Sequence, residues 1–179
     1  MSVSDDYLSD VAQRFRDLKS LAERAIAQAP DEGLFSALDP ASNNIAVLMQ
    51  HLAGNMRSRW KDFLTTDGEK PDRHRDQEFE APKATSRAAI VADWESGWGM
   101  LFDELGRVRP EDLSRMVKVR HEPLSVVSAI NRQLSHAAMH VGQIVMLARH
   151  AAPENWKSLS IPRGESEKFN EKMKERFGR

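Results

Sequence analysis

The sequence predicts an all-α fold, and three observations indicate it. Aromatic residues make up 7% of the 179 residues, and the chain has eight methionines and alanine-rich runs but little of the β-branched alternation typical of strands. Four long segments carry apolar residues at steps of three and four, the spacing of an amphipathic helix. Two unusually long connections between them favour a four-helix bundle with at least one crossover. We therefore expect a single domain over residues 1–179, which is long enough to bury a core without disulfides.

Charge and cysteine content limit the classes of function. The chain has 26 basic and 27 acidic residues, so its net charge of −1 gives no broad electrostatic reason to expect nucleic acid or an anionic membrane as partner. No stretch approaches the roughly 18 uninterrupted apolar residues of a membrane span, and residues 1–10 carry acids where a secretory signal carries bases. We expect a cytoplasmic protein. Because the chain has no cysteine, any thiol chemistry would use an external thiol.

The first two long helices are predicted over residues 7–29 and about 44–64. In the first, apolar residues recur at helical spacing until Pro30 stops the pattern. The second follows a run of side-chain oxygens that can cap its start. His51 and Asn55 fall on one flank of its apolar stripe, so this helix presents polar groups beside the core.

The connection after the second helix, residues 66–84, is polar, charged and interrupted by prolines. It is much longer than the usual ~4–6 residues, so we expect it to cross over the bundle or to shape the mouth of a pocket. The third helix is predicted to follow a cap at Thr85 or Ser86 and to end at Gly106. Residues 113–120 fit either an extended arm or one strand of a small hairpin.

The fourth helix, predicted over about 123–150, has two distinct faces. The face assigned to the core consists of Val127, Ile130, Leu134, Ala138, Val141 and Val145. The other face consists of Ala129, Gln133, His136, His140, Gln143 and Leu147. Since this second face mixes small, apolar and imidazole side chains, we expect the helix to border a pocket. A charged final helix is predicted over about 165–176.

Three histidines on two helices are the predicted ligands of a divalent metal ion: His51, His136 and His140. Because His136 and His140 are four residues apart, they lie on the same face of the fourth helix. An unpaired imidazole at the position of His51 would be costly to bury. Three neutral imidazoles would fill three positions of zinc, nickel or a similar ion and leave the rest for water or substrate. The alternative for His51 is a core-edge histidine bonded to a backbone carbonyl.

Two side-chain amides are candidates for orienting a ligand or a bound water. The remaining three histidines are not predicted to belong to the site. Asn55 lies one turn after His51, and Gln143 lies three residues after His140. The alternative for both amides is a polar residue at the boundary of the bundle. Histidines outside the triad are expected to face solvent or a helix end. They are His74, His121 and His150.

Several motifs resemble one superfamily. The sequence His-Ala-Ala-Met-His-Val-Gly-Gln-Ile over residues 136–144 resembles the helix-four motif of the DinB/YfiT-like superfamily, and residues 50–60, 67–71 and 159–164 resemble an uncharacterised branch of it. The resemblance implies a four-helix bundle with a long crossover between helices two and three, and a three-histidine metal site drawn from helices two and four. Characterised relatives include thiol S-transferases and a thiol-dependent isomerase, and dimers are common among them. Val141 departs from the pattern, since many relatives carry arginine there.

The sequence thus predicts a metal-dependent enzyme of the S-transferase-like kind. A divalent ion, zinc or nickel, would activate a low-molecular-weight thiol toward a small-molecule substrate. The resemblance also implies a homodimer. Neither nucleic acid nor a membrane is expected as a partner. No side chain is identified as a general base. Two alternatives stay open at this point: a hydrolase that activates water at the same site, and a non-catalytic bundle that binds a ligand or partner.

Overall fold

The computed structural model describes residues 2–178 and is mostly helical, which confirms the predicted class. Within that range six α-helices and two short strands follow one another along the chain. The helices are α1 (Val3–Ile26), α2 (Asp31–Phe35), α3 (Ile45–Trp60), α4 (Arg87–Leu105), α5 (Val126–Ala151) and α6 (Ser166–Phe177). The strands β1 (Met116–Val119) and β2 (Glu122–Ser125) pair antiparallel between α4 and α5. Short 3-10 helices lie at Arg75–Phe79 and Pro110–Asp112.

Side-chain caps determine where the long helices begin. Ser2 and Asp5 bond each other's backbone N–H groups at the start of α1, so this helix begins earlier than its apolar pattern predicts. The side chains of Asn44, Ser86 and Ser125 each accept a hydrogen bond from the first turn of α3, α4 and α5. A sequence pattern marks the packed part of a helix, whereas the caps mark its actual start.

The four long helices pack around an apolar core. α3 packs against α4 and α1 against α5, while α3 also contacts α5 and α1 also contacts α4. The large side chains that helical spacing assigns to the core are buried there, including Met49, Met56, Trp94 and Trp98. Each such side chain contributes about 1.5–3 kcal/mol on burial, so these contacts hold α3 and α4 in fixed positions.

The buried face of α5 is rotated from the core stripe predicted for it. Ala138 is exposed and Val127 is only partly buried, whereas Gln133 and His140, which belong to the other predicted face, are buried. The predicted stripe was therefore wrong in part. The reason is that α5 packs on both α1 and α3, so the face toward α3 is also interior and carries polar side chains into the protein.

The connection between α3 and α4 lies against α3, as its length suggested. Gln50 of α3 attaches it at two points. Its side-chain nitrogen donates to the backbone oxygen of Glu78 at 3.1 Å, and its side-chain oxygen accepts from the backbone N–H of Lys83 at 3.0 Å. Because Gln50 is itself buried, these bonds fix the 3-10 helix of the connection beside the middle of α3.

Residues 113–120 were predicted to form either an extended arm or one strand of a small hairpin. The structure shows the hairpin, in which residues 116–119 are the strand β1. Its turn residues Arg120 and His121 both have positive φ angles, 55° and 65°, which are uncommon for residues other than glycine. The carboxylate of Asp67 accepts a hydrogen bond from each of their backbone N–H groups at 2.8 Å. The connection between α3 and α4 therefore stabilises the turn of the hairpin.

The final helix, α6, lies close to the predicted range and is exposed along its whole length. Its sequence is strongly charged, as expected for a solvated helix. Over residues 2–178, none of the helices combines the length and the apolar character that crossing a lipid bilayer requires.

Candidate metal centre

The three predicted histidines meet between α3 and α5. The Nε2 atoms of His51 and His136 are 3.2 Å apart, and one ligand nitrogen from each of the three histidines lies within 4.8 Å of the others. His51 is 2% exposed and His140 is 7% exposed, while His136 is partly buried. The fold thus gathers three imidazoles, two from one turn of α5 and one from the facing helix, in the protein interior.

His51 is oriented by a carboxylate from the connection between α3 and α4. Its Nδ1 lies 2.8 Å from the Oε2 of Glu78, and its ring packs against Phe79 with the ring centres 4.3 Å apart. The partner of His51 is thus a side chain, and not the backbone carbonyl considered as the alternative. Because Nδ1–H donates to Glu78, the lone pair of Nε2 is left to face the other histidines. Sequence spacing gave no signal for Glu78.

Glu78 is in turn held by Arg73. The guanidinium donates two hydrogen bonds to the carboxylate, both of 2.8 Å, and a third of 3.2 Å to Glu69. Burial raises the pKa of Glu78, but the hydrogen bonds from Arg73 and His51 outweigh burial and hold this pKa below its usual value. Glu78 is therefore ionised at neutral pH and is a strong acceptor for the Nδ1–H of His51.

His140 has an orienting partner on its own helix. Its Nδ1 lies 2.8 Å from the Oε1 of Gln143, which leaves its Nε2 free for the centre of the cluster. Gln143 is exposed and lies outside the cavity described below. The structure thus places this predicted residue behind the histidine, where it can fix the tautomer and the ring but cannot touch a substrate.

Four residues that line the cavity described below have a buried polar atom with no hydrogen-bond partner among the described residues: Asn55 Oδ1, Trp60 Nε1, Gln133 Nε2 and His136 Nδ1. The indole nitrogens of Trp94 and Trp98 in the core are also unpaired. An unpaired buried polar group costs about 1–3 kcal/mol, so such atoms indicate where a ligand or water belongs. Asn55 was a predicted site residue. Gln133 was not predicted for the site, although its position three residues before His136 on the same face of α5 was a usable signal.

Burial keeps the imidazoles of α5 neutral. It lowers the pKa of His136 to about 3, with further lowering by the neighbouring His140 and His51. Burial also lowers the pKa of His140, in spite of its hydrogen bond to Gln143. A neutral imidazole is the form that binds a metal ion, so both groups are in the ligating form at neutral pH.

The donor set fits a divalent metal ion. In a tetrahedral zinc site with Zn–N bonds of about 2.0–2.1 Å, two ligand nitrogens are roughly 3.3 Å apart, close to the 3.2 Å between His51 and His136. With the Nδ1–H groups of His51 and His140 committed to Glu78 and Gln143, the Nε2 lone pairs converge. The three histidines could therefore hold a metal ion, and imidazole is a suitable ligand for both zinc and nickel.

The cluster forms part of the wall of a cavity of about 410 Å³, a size that suits a small molecule. Aromatic rings of Trp60, Phe63 and Phe79 supply its apolar wall. A larger cavity of about 730 Å³ shares Arg73 with the first but contains none of the three histidines. We assign the site to the smaller cavity, because the converging ligands and the unpaired amides are there.

The histidines outside the triad lie where the sequence pattern predicts. His74, His121 and His150 are exposed and do not belong to the cluster. The side chain of His121 is 98% exposed although its backbone is bonded to Asp67. These positions therefore serve as matched controls for substitutions of the triad.

Glu78→Gln is expected to weaken the binding of Zn²⁺ by roughly tenfold to a hundredfold, the usual cost of losing a residue that orients a metal-binding histidine. The amide accepts a weaker hydrogen bond from His51 and cannot receive two bonds from Arg73. Competition with a chromophoric chelator measures the dissociation constant. Glu80→Gln, at an exposed position of the same connection, is the control and should leave the affinity unchanged.

A second variant moves Glu78 without changing any charge. A Cβ atom at Gly54 of α3 would lie 2.6 Å from the Oε1 of Glu78, so Gly54→Ala should displace the carboxylate from His51 and lower the metal affinity. An undiminished affinity in both Glu78→Gln and Gly54→Ala would show that Glu78 has no part in the site.

The metal-free protein is expected to lose stability when the pH falls below about 6.5. Burial lowers the pKa of His136 to about 3 and also lowers the pKa of His140. In the pH range from about 3 to about 6.5, the unfolded chain therefore binds more protons than the folded chain. The free energy of unfolding therefore rises with pH across this window and levels off above it. Urea unfolding of chelator-treated protein at about pH 5 and about pH 7 measures the effect. A variant with His136→Gln and His140→Gln should show a smaller difference, and an equal difference would contradict the assignment.

Comparison with known proteins gives one family. Residues 2–165 match the family model described as "Protein of unknown function (DUF1572)". The matched span contains the three histidines together with Glu78 and Asn55, and it stops just before α6. No curated protein matches the chain.

Proposed function

We propose an activity from the site itself, because the chain belongs to DUF1572, a family of unknown function. The proposed protein is a metal-dependent enzyme of the S-transferase-like kind. His51, His136 and His140 hold a divalent ion, zinc or nickel, and an external low-molecular-weight thiol is the nucleophile. The observation that carries the proposal is the convergence of three imidazoles on a cavity of small-molecule size.

The residues of the site have separable tasks in this proposal. Glu78 and Gln143 hold the Nδ1 protons of His51 and His140 and so direct their Nε2 atoms toward the ion. When bound, the dication would lower the pKa of a coordinating thiol so that the thiolate exists at neutral pH. The unpaired oxygen of Asn55 offers a hydrogen-bond acceptor to the bound molecules.

An external thiol is favoured over water for two reasons. No carboxylate lines the cavity among the described residues, and Glu78 is committed to Arg73 and His51. The cavity thus offers no free base to take a proton from water or to return one to a leaving group. A thiol ionises far more readily than water and does not need such a base once it coordinates a dication. Because the chain has no cysteine, the thiol must be a cosubstrate.

We also propose the finer fold assignment, a single-domain four-helix bundle of the DinB/YfiT-like superfamily built from α1, α3, α4 and α5. Each of these helices contacts two others in the set. The long connection lies between α3 and α4, the second and third of the four, and the histidines come from the second and fourth. Both features support the assignment.

Sedimentation equilibrium tests the homodimer that the same resemblance implies.

Cobalt substitution tests the proposed function. The chain loaded with Co²⁺ should show the ligand-field absorption of the ion, and 2-mercaptoethanol should add sulfur-to-metal charge-transfer bands. Loss of both signals in His140→Ala would support the proposal. A cobalt spectrum that no thiol changes would favour the hydrolase, and absence of cobalt binding would favour the non-catalytic bundle.

A further inference from the structure

We infer that the thiol that reacts at this site is a small organic anion whose carboxylate or phosphate group is bound by Lys118 and Arg120 of the hairpin and by Arg132 of α5. The inference rests on the proposed function, since it concerns the molecule that enters the same cavity. It assigns a substrate class and three residues that determine specificity.

The first observation is the charge of the cavity. Six cationic side chains line it, and no carboxylate does so among the described residues. The six are Arg59, Arg73, Arg75, Lys118, Arg120 and Arg132. Because the whole chain has a net charge of only −1, this positive charge is a local property of the cavity and not of the protein. A neutral substrate would gain nothing from such a wall, whereas an anion would be attracted to it.

The inner cations are only partly neutralised. Arg73 pairs with Glu78, and Arg59 donates to the Oε2 of Glu69 at 2.7 Å. The same oxygen also accepts hydrogen bonds from Arg73 and Arg120, each at 3.2 Å. Two carboxylates therefore pair with three guanidinium groups, and the set keeps an excess of positive charge.

The outer cations are free to exchange their partners. Lys118 forms no ion pair with any of residues 2–178, and the side chain of Arg120 is half exposed. Arg132 pairs with Glu122 at 2.8 Å, but both side chains are more than half exposed. Exposed ion pairs of this kind contribute little to stability, so a substrate anion can replace the carboxylate of Glu122.

The hairpin turn is built to keep these cations at the cavity. Arg120 and His121 have left-handed backbone conformations that are unfavourable for residues other than glycine, and Asp67 stabilises them by accepting both N–H groups. Burial raises the pKa of Asp67, but the hydrogen bonds from the backbone N–H groups of Glu69, His121 and Arg120 outweigh burial and lower this pKa to about 2. Asp67 therefore stays ionised, and the turn keeps its shape at all physiological pH values.

A second, independent observation points to a bound molecule in the same cavity. Asn55 and Gln133 are 7% and 6% exposed, line the cavity and have an unpaired oxygen and an unpaired nitrogen. They offer one acceptor and one donor to a molecule bound in the cavity. A molecule that fills about 410 Å³ can satisfy these groups while its anionic end contacts Lys118 and Arg120.

The experiment compares two thiols of similar size, one with a carboxylate and one without a charge. Cobalt-loaded protein is titrated with 3-mercaptopropionate and with its methyl ester, and the charge-transfer absorption reports binding. We expect the acid to bind about fivefold more tightly at low ionic strength, because an exposed ion pair contributes up to roughly 1 kcal/mol, which is about fivefold in affinity. The preference should be lost in Lys118→Ala/Arg120→Ala and should shrink in concentrated salt. Lys172→Ala on the exposed helix α6 is the matched control and should keep the preference.

Failure of this inference is distinguishable from failure of the proposed function. Equal affinity for the acid and the ester overturns the anionic substrate and leaves the thiol activity standing. Binding of neither thiol overturns the proposed function together with the inference. Displacement of the acid by inorganic phosphate or by succinate supports the oxyanion site and identifies the group that it prefers, whereas displacement by neither contradicts it.

Discussion

His140→Ala is expected to reduce the affinity of the protein for Zn²⁺ or Co²⁺ by more than the roughly 10–100-fold that loss of an orienting partner costs. One of its ring nitrogens belongs to the group of three that lie within 4.8 Å of one another, and two imidazoles on separate helices hold a dication poorly. Competition with a chromophoric chelator measures the affinity. The same result is expected for His51→Ala and His136→Ala, because the three ligands act together.

His150→Ala is the control for this prediction. It removes an exposed imidazole from the same helix as His140 but from outside the cluster, so the metal affinity should not change. Far-ultraviolet circular dichroism shows whether each variant is folded. If a folded His140→Ala variant binds the ion as tightly as the wild type, His140 is not a ligand.

Gly97→Ala is expected to lower the free energy of unfolding by about 1–3 kcal/mol, the usual cost of overfilling a packed interior. Gly97 is buried where α4 meets α3, and a Cβ atom there would lie 2.6 Å from the Cα of Ala53 and 3.1 Å from its backbone oxygen. Backbone atoms cannot move aside as the end of a side chain can, so the two helices must separate. Urea unfolding of the chelator-treated protein measures the change.

Gly99→Ala provides the matched comparison on the same helix. A Cβ atom at Gly99 meets nothing within 4 Å, so this substitution should raise the stability by about 0.5–1 kcal/mol through helix propensity alone. Changes of opposite sign in the free energy of unfolding of the two variants would locate the close approach of α3 and α4 at Gly97. Equal effects would mean that the helices are not in contact there.

The helices and the histidine triad could be predicted because both follow from local periodicity. Steps of three and four along the chain show which residues share a helix face, and the spacing of four between His136 and His140 is enough to bring their imidazoles together. The start of α4 was readable from its cap at Ser86, whereas the cap of α3 is Asn44 and not a residue of the run 39–43 that was expected to supply it. The pairing of His51 with the other two followed from the cost of burying a lone imidazole and from family resemblance.

The partners of the triad could not be predicted in the same way. Glu78 reaches His51 from a connection without helical repeat, and its position depends on Gln50, Arg73 and the close approach allowed at Gly54. These are long-range contacts between side chains, which no spacing rule encodes. The core stripe predicted for α5 was wrong in part for a related reason, since a helix packed on two neighbours has more than one buried face.

The central claim is that His51, His136 and His140 together bind one divalent ion per chain. X-ray absorption spectroscopy of zinc-loaded, untagged protein tests it most directly, with elemental analysis of the same sample to give the stoichiometry. The proposed site predicts one zinc ion per chain with three imidazole ligands, at a Zn–N distance of about 2.0–2.1 Å, and one or more positions taken by a light atom or an added thiol. Absence of stoichiometric zinc, or a ligand shell with fewer than three imidazoles, would contradict it.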